Sequence, residues 1–307
     1  MNGPAAELRP SAAGPPTKRP PRGRFKWLLP LPLVLFLLAM LGFPLIANMY
    51  YSFTNLTFEN LRHPGLAGFQ NYLDVLRDPS FWGALGFSLK FGVTASVIEV
   101  ILGLGLALAF QPILERFKPL MALMLLPMMI SPALMAIMYR LILNDFVGVI
   151  PRYLELAGFS GIDLFGPQWV FTTLIVIEVL QWTPFAFLVL YTALLSVPGE
   201  IVEAAVVDGA TGLQVLGRII FPLLVPALAI TAFIRLIDSF RVFDHIYVLT
   251  GGGPGTQTTS ISIYIYKRFF QENALGSAVA TSVLLLAITL VPLLLLMRGT
   301  LRGSGRA

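Results

Sequence analysis

Residues 169–195 read WVFTTLIVIEVLQWTPFAFLVLYTALL, a run of 27 residues in which Glu178 is the only charged side chain. A helix rises about 1.5 Å per residue and bilayer hydrocarbon is roughly 30 Å thick, so about 20 apolar residues suffice to cross it. This run therefore predicts a spanning helix. Five further stretches repeat the pattern, at Trp27–Ala47, Ala84–Phe110, Pro119–Leu143, Ile219–Ile237 and Ser277–Met297. A closed β-barrel also satisfies its backbone groups in lipid, but its strands read as alternating segments of about ten residues. The expected fold class is an all-α integral membrane protein with six transmembrane helices.

Composition agrees. Of 307 residues 56% are hydrophobic and 12% charged, against roughly a quarter charged in a soluble protein. That deficit excludes a disordered chain and a soluble enzyme of this size. The net charge of +5 does not mark a nucleic-acid binder, because the basic residues sit in short stretches between apolar runs. Without cysteine there is no disulfide framework or thiolate nucleophile, and two histidines, His63 and His245, are too few for a His-built metal centre.

The basic residues set the expected topology. Residues 1–26 carry Arg9, Lys18, Arg19, Arg22, Arg24 and Lys26 among many prolines, the composition of a flexible tail, and the positive-inside rule keeps such a tail in the cytoplasm. A cleaved signal peptide would be shorter in both its basic and its apolar part. Alternating from that start places Arg116, Lys118, Arg218, Arg298, Arg302 and Arg306 inside as well, against Arg62, Arg77, Arg152, Arg241, Lys267 and Arg268 outside. Both termini are then cytoplasmic, with tails at 1–26 and 298–307 flanking a transmembrane domain at 27–297.

Charges within spans are costly, at least about 2.5–3.5 kcal/mol each at the bilayer centre, and so face a cavity or a partner. Glu99, Arg140, Glu178, Arg235 and Asp238 are the candidates, and Lys90 lies where it can snorkel. Arg235 and Asp238, three apart, share a helix face and can form a mutual ion pair; otherwise Arg235 is free to bind an anion. Glu178, Gln181 and Trp182 also share a face, just before Pro184, where a local helix break would expose backbone groups. A carboxylate that accepts from hydroxyls, an amide that donates and accepts, and an indole face suit a sugar or polyol. The competing role is helix–helix glue. Gly103, Gly105 and Ala109 offer small surfaces for close helix contact.

The inner connection after the fourth span is more than a linker. Pro198 and Gly199 stop the span, Gly199–Gly209 reads as a short helix closed by glycine, and a second helical run from Leu213 to Phe221 leads into Pro222 and Pro226. Glu203 beside Ala204 and Ala205 makes a small, flat, carboxylate-edged face. The pattern Glu203-Ala204-Ala205, three residues, Gly209, nine residues, Ile219 and then Pro222 closely resembles the EAA loop of ABC-importer permeases. The outer segments from Phe243 to Pro254 and Tyr264-Ile265-Tyr266 with Phe269-Phe270 resemble the carbohydrate-uptake branch of that family, and most of all its maltose-type first permease subunit. Phe221 stands where the loop pattern usually has leucine.

The resemblance implies a coupling loop at about 198–222 that docks on a cytoplasmic ATPase through Glu203, Ala204, Ala205, Asp208 and Gly209. It implies a substrate path in the fourth and fifth spans, which in this chain contain Glu178, Gln181, Trp182, Arg235, Ser239 and Asp244. Their chemistry departs from the neutral amide-and-hydroxyl pattern of a maltose site. The implied partners are a second permease subunit, two ATPase subunits that bind ATP and Mg, an extracytoplasmic sugar-binding protein, and the sugar, in a bacterial inner membrane. No cofactor is expected in this chain. A polyol or glycerol phosphate is the alternative solute. A passive channel or an intramembrane enzyme has little support: Thr250-Gly251-Gly252-Gly253-Pro254-Gly255-Thr256 lacks the Lys-Ser/Thr of a phosphate loop, and no GxSxG, HExxH or paired-aspartate motif occurs.

Overall fold

The computed structural model describes residues 30–303 apart from Ser160, with side chains described as far as Leu290 apart from Glu115. The expected tail at 1–26 and the basic side chains of Arg298, Arg302 and Arg306 lie outside the described residues. The chain falls into two units, Met1–Asn48 and Met49–Ala307. The first carries most of α1 (Leu31–Tyr51), an apolar helix with a π-type turn at Leu38–Gly42. The second holds everything that follows.

Asp78 opens the long α3. Its carboxylate accepts the Ser80 amide at 2.8 Å and Pro79 takes the first helical position, where a missing N–H costs nothing. Before it lies α2 (Gln70–Arg77). The helix α3 then runs from Pro79 to Arg116, well past both expected ends, so the first inner connection shrinks to Phe117 and Lys118 before Pro119 starts α4 (Pro119–Met129).

The expected third span is not one helix. After α4 the chain turns through 85° into α5 (Pro132–Ile142). Pro132 explains the break: its ring clashes with a helical residue before it, and Ser131 accordingly sits at φ −56°, ψ 134°. After α6 (Val149–Leu156), α7 (Val170–Leu195) passes through Pro184 without interruption, so the break expected there is absent. Pro184 is buried within the helix, and the bend falls instead at Ser131.

Short α8 (Gly199–Val207) is followed by a capped turn at Thr211, a helical run Gly212–Val215, a π-type turn Leu216–Ile220 and α9 (Phe221–Phe240). Then come α10 (Asp244–Thr250), α11 (Ile261–Tyr266) and α12 (Leu275–Gly303). Among the described residues four helical stretches are long and apolar enough to cross a bilayer singly, five when the bent α4–α5 pair is counted as one span. The apolar part of α12 that is described, Leu275–Leu290, is shorter. Among the described residues β-structure amounts to one bridge, Thr54 to Leu66.

The packing centre is α7, the most buried of the long helices, clasped between α3 and α9. Phe91, Ala95, Leu174, Ile177, Ile246 and Ile263 interlock there. Lipid is as apolar as leucine, so close approach and polar contacts must hold such helices together. Gly103 provides the approach: a Cβ there would lie 2.8 Å from both Ala186 Cβ and Phe187 N. Gly105 and Ala109, expected to share this role, face outward, and Ala107 is the buried small residue instead.

Candidate functional site

Arg235 of α9 is fully buried and joins three helices. Its Nε donates to Glu99 Oε2 of α3 at 2.5 Å, and its Nη2 to Glu178 Oε1 of α7 at 2.8 Å. The same Nη2 reaches Ser239 Oγ at 3.1 Å, and that hydroxyl donates to Glu178 Oε1 at 2.8 Å. The Trp182 ring lies 4.7 Å from the guanidinium carbon, a cation–π contact one helical turn beyond Glu178. A buried guanidinium is tolerable only when paired and hydrogen-bonded, and here two carboxylates meet that need.

The pairing differs from the expected Arg235–Asp238 couple. Asp238 is half-exposed and stands 3.7 Å from Arg235, with its other oxygen 3.5 Å from Arg241. Glu99, a span carboxylate without an assigned partner at the sequence level, makes the shortest contact. His245 of α10 also belongs to the cluster, its Nε2 3.4 Å from Glu178 Oε2, although neither atom makes a hydrogen bond. Nothing in local spacing points to Glu99: it and Arg235 are 136 positions apart, and the available signal is that Glu99 and Glu178 are span carboxylates without a charged neighbour on their own helices.

A cavity of about 140 Å³ opens beside the cluster, lined by Glu178, Trp182, Arg235, Asp238, Asp244 and His245 among others. Four expected path residues, Glu178, Trp182, Arg235 and Asp244, therefore meet at one hollow. Ser239 sits behind it as a brace. Gln181 does not line it: it is fully buried, and its Nε2 donates to the Ile130 carbonyl at 3.0 Å, where the α4–α5 break leaves that carbonyl free. A larger hollow of about 390 Å³ around Tyr139, Trp169 and Leu180 is almost wholly apolar and holds no charged side chain. Of the remaining span charges, Arg140 is exposed and reaches the Val248 carbonyl at 3.4 Å, and Lys90 lies 4.5 Å over the Phe171 ring.

The second candidate is the segment that follows α7. Pro198, at ψ 124°, ends the preceding turn and α8 begins at Gly199. Gly209 has φ +82°, with no atom within 4 Å of where a Cβ would stand, so its glycine serves backbone conformation alone. Thr211 and Gln214 then form a capping box that restarts the helix. Glu203, Ala204 and Asp208 are exposed, as are Ile201, Val206, Val207 and Leu213. A carboxylate-edged helix with bare apolar side chains is a surface made for contact.

The glycine segment after α10 spends its polar groups on itself. Thr258 Oγ1 donates to the Gly253 carbonyl at 2.6 Å and Thr259 Oγ1 to that of Gly252 at 3.0 Å, while Gly251 and Gly252 take φ +61° and +93°. It is a tight turn between α10 and α11.

Comparison with known proteins places these features. A sequence profile of the family described as "Binding-protein-dependent transport system inner membrane component" matches residues 99–300. The chain is 36% identical over 258 residues to a probable ABC transporter permease protein of Sinorhizobium fredii, covering 82% of each. It is 34% identical over 270 residues to the trehalose/maltose transport system permease protein MalF of Thermococcus litoralis, covering 86% of this chain and 91% of that one. A chain of a bacterial ABC transporter involved in the import of the acidic polysaccharide alginate superposes with a TM-score of 0.77 at 25% identity, over 91% of this chain and 95% of that one.

Proposed function

The chain belongs to the family of binding-protein-dependent transport system inner membrane components, and on that premise we propose that it forms half of the translocation path of an ATP-driven sugar importer. One observation carries the mechanism: across the turn at Gly209, exposed α8 is followed directly by a single helical course that bears buried Arg235. From Gly209 the capped run Gly212–Val215 passes through Leu216–Ile220 into α9, which bears Arg235.

A displacement imposed on α8 is thus delivered to α9. Through Arg235 it reaches Glu99 on α3 and Glu178 on α7. The three helices move as one body, in keeping with alternating access by rigid rocking around a site near the midplane. Two ATPase subunits, which bind ATP and Mg, supply the displacement by closing on each other, with Glu203 accepting their hydrogen bonds and Ala204 and Ala205 permitting close packing. A second permease completes the path, an extracytoplasmic binding protein delivers the sugar, and both termini of this chain lie on the cytoplasmic side of the inner membrane. Sugar hydroxyls meet Glu178, Trp182, Asp244 and the flanking groups of the cavity, with Ser239 and Gln181 holding the surrounding helices in place.

Gly209→Val tests the coupling. At φ +82° a β-branched side chain is strained by about 1–2 kcal/mol or more, so the turn shifts and α8 is re-aimed. Uptake into reconstituted vesicles is expected to be lost while membrane insertion and yield stay near the parental level. Parental uptake, with parental ATPase stimulation, would sink the assignment.

A further inference from the structure

We infer that the cavity beside Arg235 admits neutral, hydroxyl-rich solutes and turns away anionic sugars, with Glu178 and His245 setting that choice; the inference rests on the import reading above. The lining carries three carboxylates, Glu178, Asp238 and Asp244, against two guanidiniums, Arg235 and Arg241. Arg235 is fully engaged, whereas Arg241, with 55% of its side chain exposed, is held only by a loose pair. Arg235 is held by Glu99 at 2.5 Å and by Glu178 at 2.8 Å, and Asp238 stands 3.7 Å from it. Arg241 faces Asp238 at 3.5 Å. Glu99 adds a further carboxylate directly behind the wall.

What the wall leaves unsatisfied is an acceptor. Glu178 is 2% exposed, and its Oε2 has no hydrogen-bond partner; the same holds for His245 Nε2, 3.4 Å away. A carboxylate oxygen accepts only, so its missing partner is a donor. A sugar hydroxyl supplies one and can at the same time accept from, or donate to, the imidazole nitrogen, according to its tautomer. An anionic sugar carries such hydroxyls too, but its phosphate, sulfonate or carboxylate brings further negative charge to a lining in which three carboxylates outnumber two guanidiniums. Trp182 favours the same class: the guanidinium occupies one side of its ring at 4.7 Å, which leaves the indole as an apolar surface already matched to a cation rather than a second anion-binding group. The fold as such does not impose this choice, since the alginate importer shares it and carries an acidic polysaccharide. The discrimination lies in the side chains.

Equilibrium binding to the assembled importer in nanodiscs tests this. The probes are radiolabelled trehalose, maltose and maltotriose, against the 6-phosphates of the two disaccharides and a uronate disaccharide. At least one neutral probe is expected to bind saturably, and the anionic probes at least about tenfold more weakly. Glu178→Gln, which removes the like charge but keeps the shape, is expected to narrow that gap by about tenfold. Should that variant fail to assemble, Asp244→Asn, at an exposed residue outside the buried cluster, is expected to narrow it in the same direction. Anionic probes that bind as well as neutral ones, with both weakened by Trp182→Ala, would overturn the charge discrimination and leave the cavity as the path. Neutral binding that Trp182→Ala does not touch, or no neutral binding at all, would overturn the import site itself and this inference with it.

Discussion

Arg235 shows how much one side chain can organise in a membrane protein. Its guanidinium ties α3, α7 and α9 together where apolar packing gives little net attraction, and the polar contacts are the more consequential for it. The pair with Glu99 and the contact with Asp238 are both ion pairs by distance, yet burial separates them sharply: the Glu99 side chain is 0% exposed and that of Asp238 is 48%. Removing a partner from a buried pair strands a charge and costs about 3–5 kcal/mol, whereas an exposed pair is worth about 0–1 kcal/mol. Glu99→Ala is therefore expected to lower the thermal unfolding midpoint of the detergent-solubilised protein strongly. Asp238→Asn should leave it nearly unchanged, and equal midpoints for the two would contradict the burial argument.

Among elements, the α3–α7 contact depends on one glycine. The backbone of Phe187 and the Cβ of Ala186 lie where a side chain at Gly103 would go, and backbone cannot yield as a flexible side-chain tip can. Gly105, two residues on, faces open space. The same substitution should then act in opposite directions. Gly103→Ala is expected to destabilise by about 1–3 kcal/mol through overpacking, and Gly105→Ala to stabilise by up to about 1 kcal/mol through helix propensity. Chemical unfolding of the two single variants checks the sign. The break at Ser131 is the complementary case, since a proline fixes its place and Gln181 caps the carbonyl it frees.

At the scale of the whole molecule, a polar knot joins regions far apart in sequence. Tyr264 Oη donates to Asp78 Oδ2 at 2.8 Å, Arg268 Nε donates to Tyr264 Oη at 3.1 Å, and Arg268 also pairs with Asp78 and with Glu272. Burial pushes the Asp78 carboxyl up, but hydrogen bonds from Tyr264, the Ser80 amide and Arg268 outweigh it and hold the group below its ordinary value. The knot thus contributes stability that is present above the ordinary carboxylate pKa, about 3.9, and is lost as pH falls through the lower folded value. Burial, and then the bond to Asp78, push Tyr264 up to about 12, so its share is full below about pH 10 and fades as pH rises through that folded value. Between pH 5 and 8 the unfolding midpoint should owe nothing to the titration of Asp78. Below pH 4 the parent should lose more stability than Asp78→Asn, and parallel curves there would count against the knot. Topology is open to a direct check, because the chain has no cysteine of its own. Leu213→Cys, 83% exposed, is expected to react with a membrane-impermeant maleimide only from the cytoplasmic side, and exposed Gln257→Cys only from the outer side.

The sequence by itself determined what depends on neighbours along the chain. Runs of apolar residues set the helices, Pro119 and Pro198 set where two of them start, and Gly209 closes α8, because backbone sterics and spanning length are local properties; the break at Pro132 is equally local but went unread in a continuous apolar run. The helical form of the segment after α7 was legible for the same reason: Glu203-Ala204-Ala205 lie within one short helix, and Gly209 follows its end. Tertiary structure alone decided which side chains meet. The helix α7 is apolar on nearly every side, so no amphipathic stripe fixes how it is rotated. From sequence, Gln181 and Trp182 share a face with Glu178, but packing turns Gln181 toward Ile130 and leaves Glu178 and Trp182 on the cavity. Arg235 likewise had a plausible partner three residues away, and burial gave it two better ones on other helices. A desolvated charge takes the carboxylates that packing brings within reach, and no spacing along the chain reveals which those are.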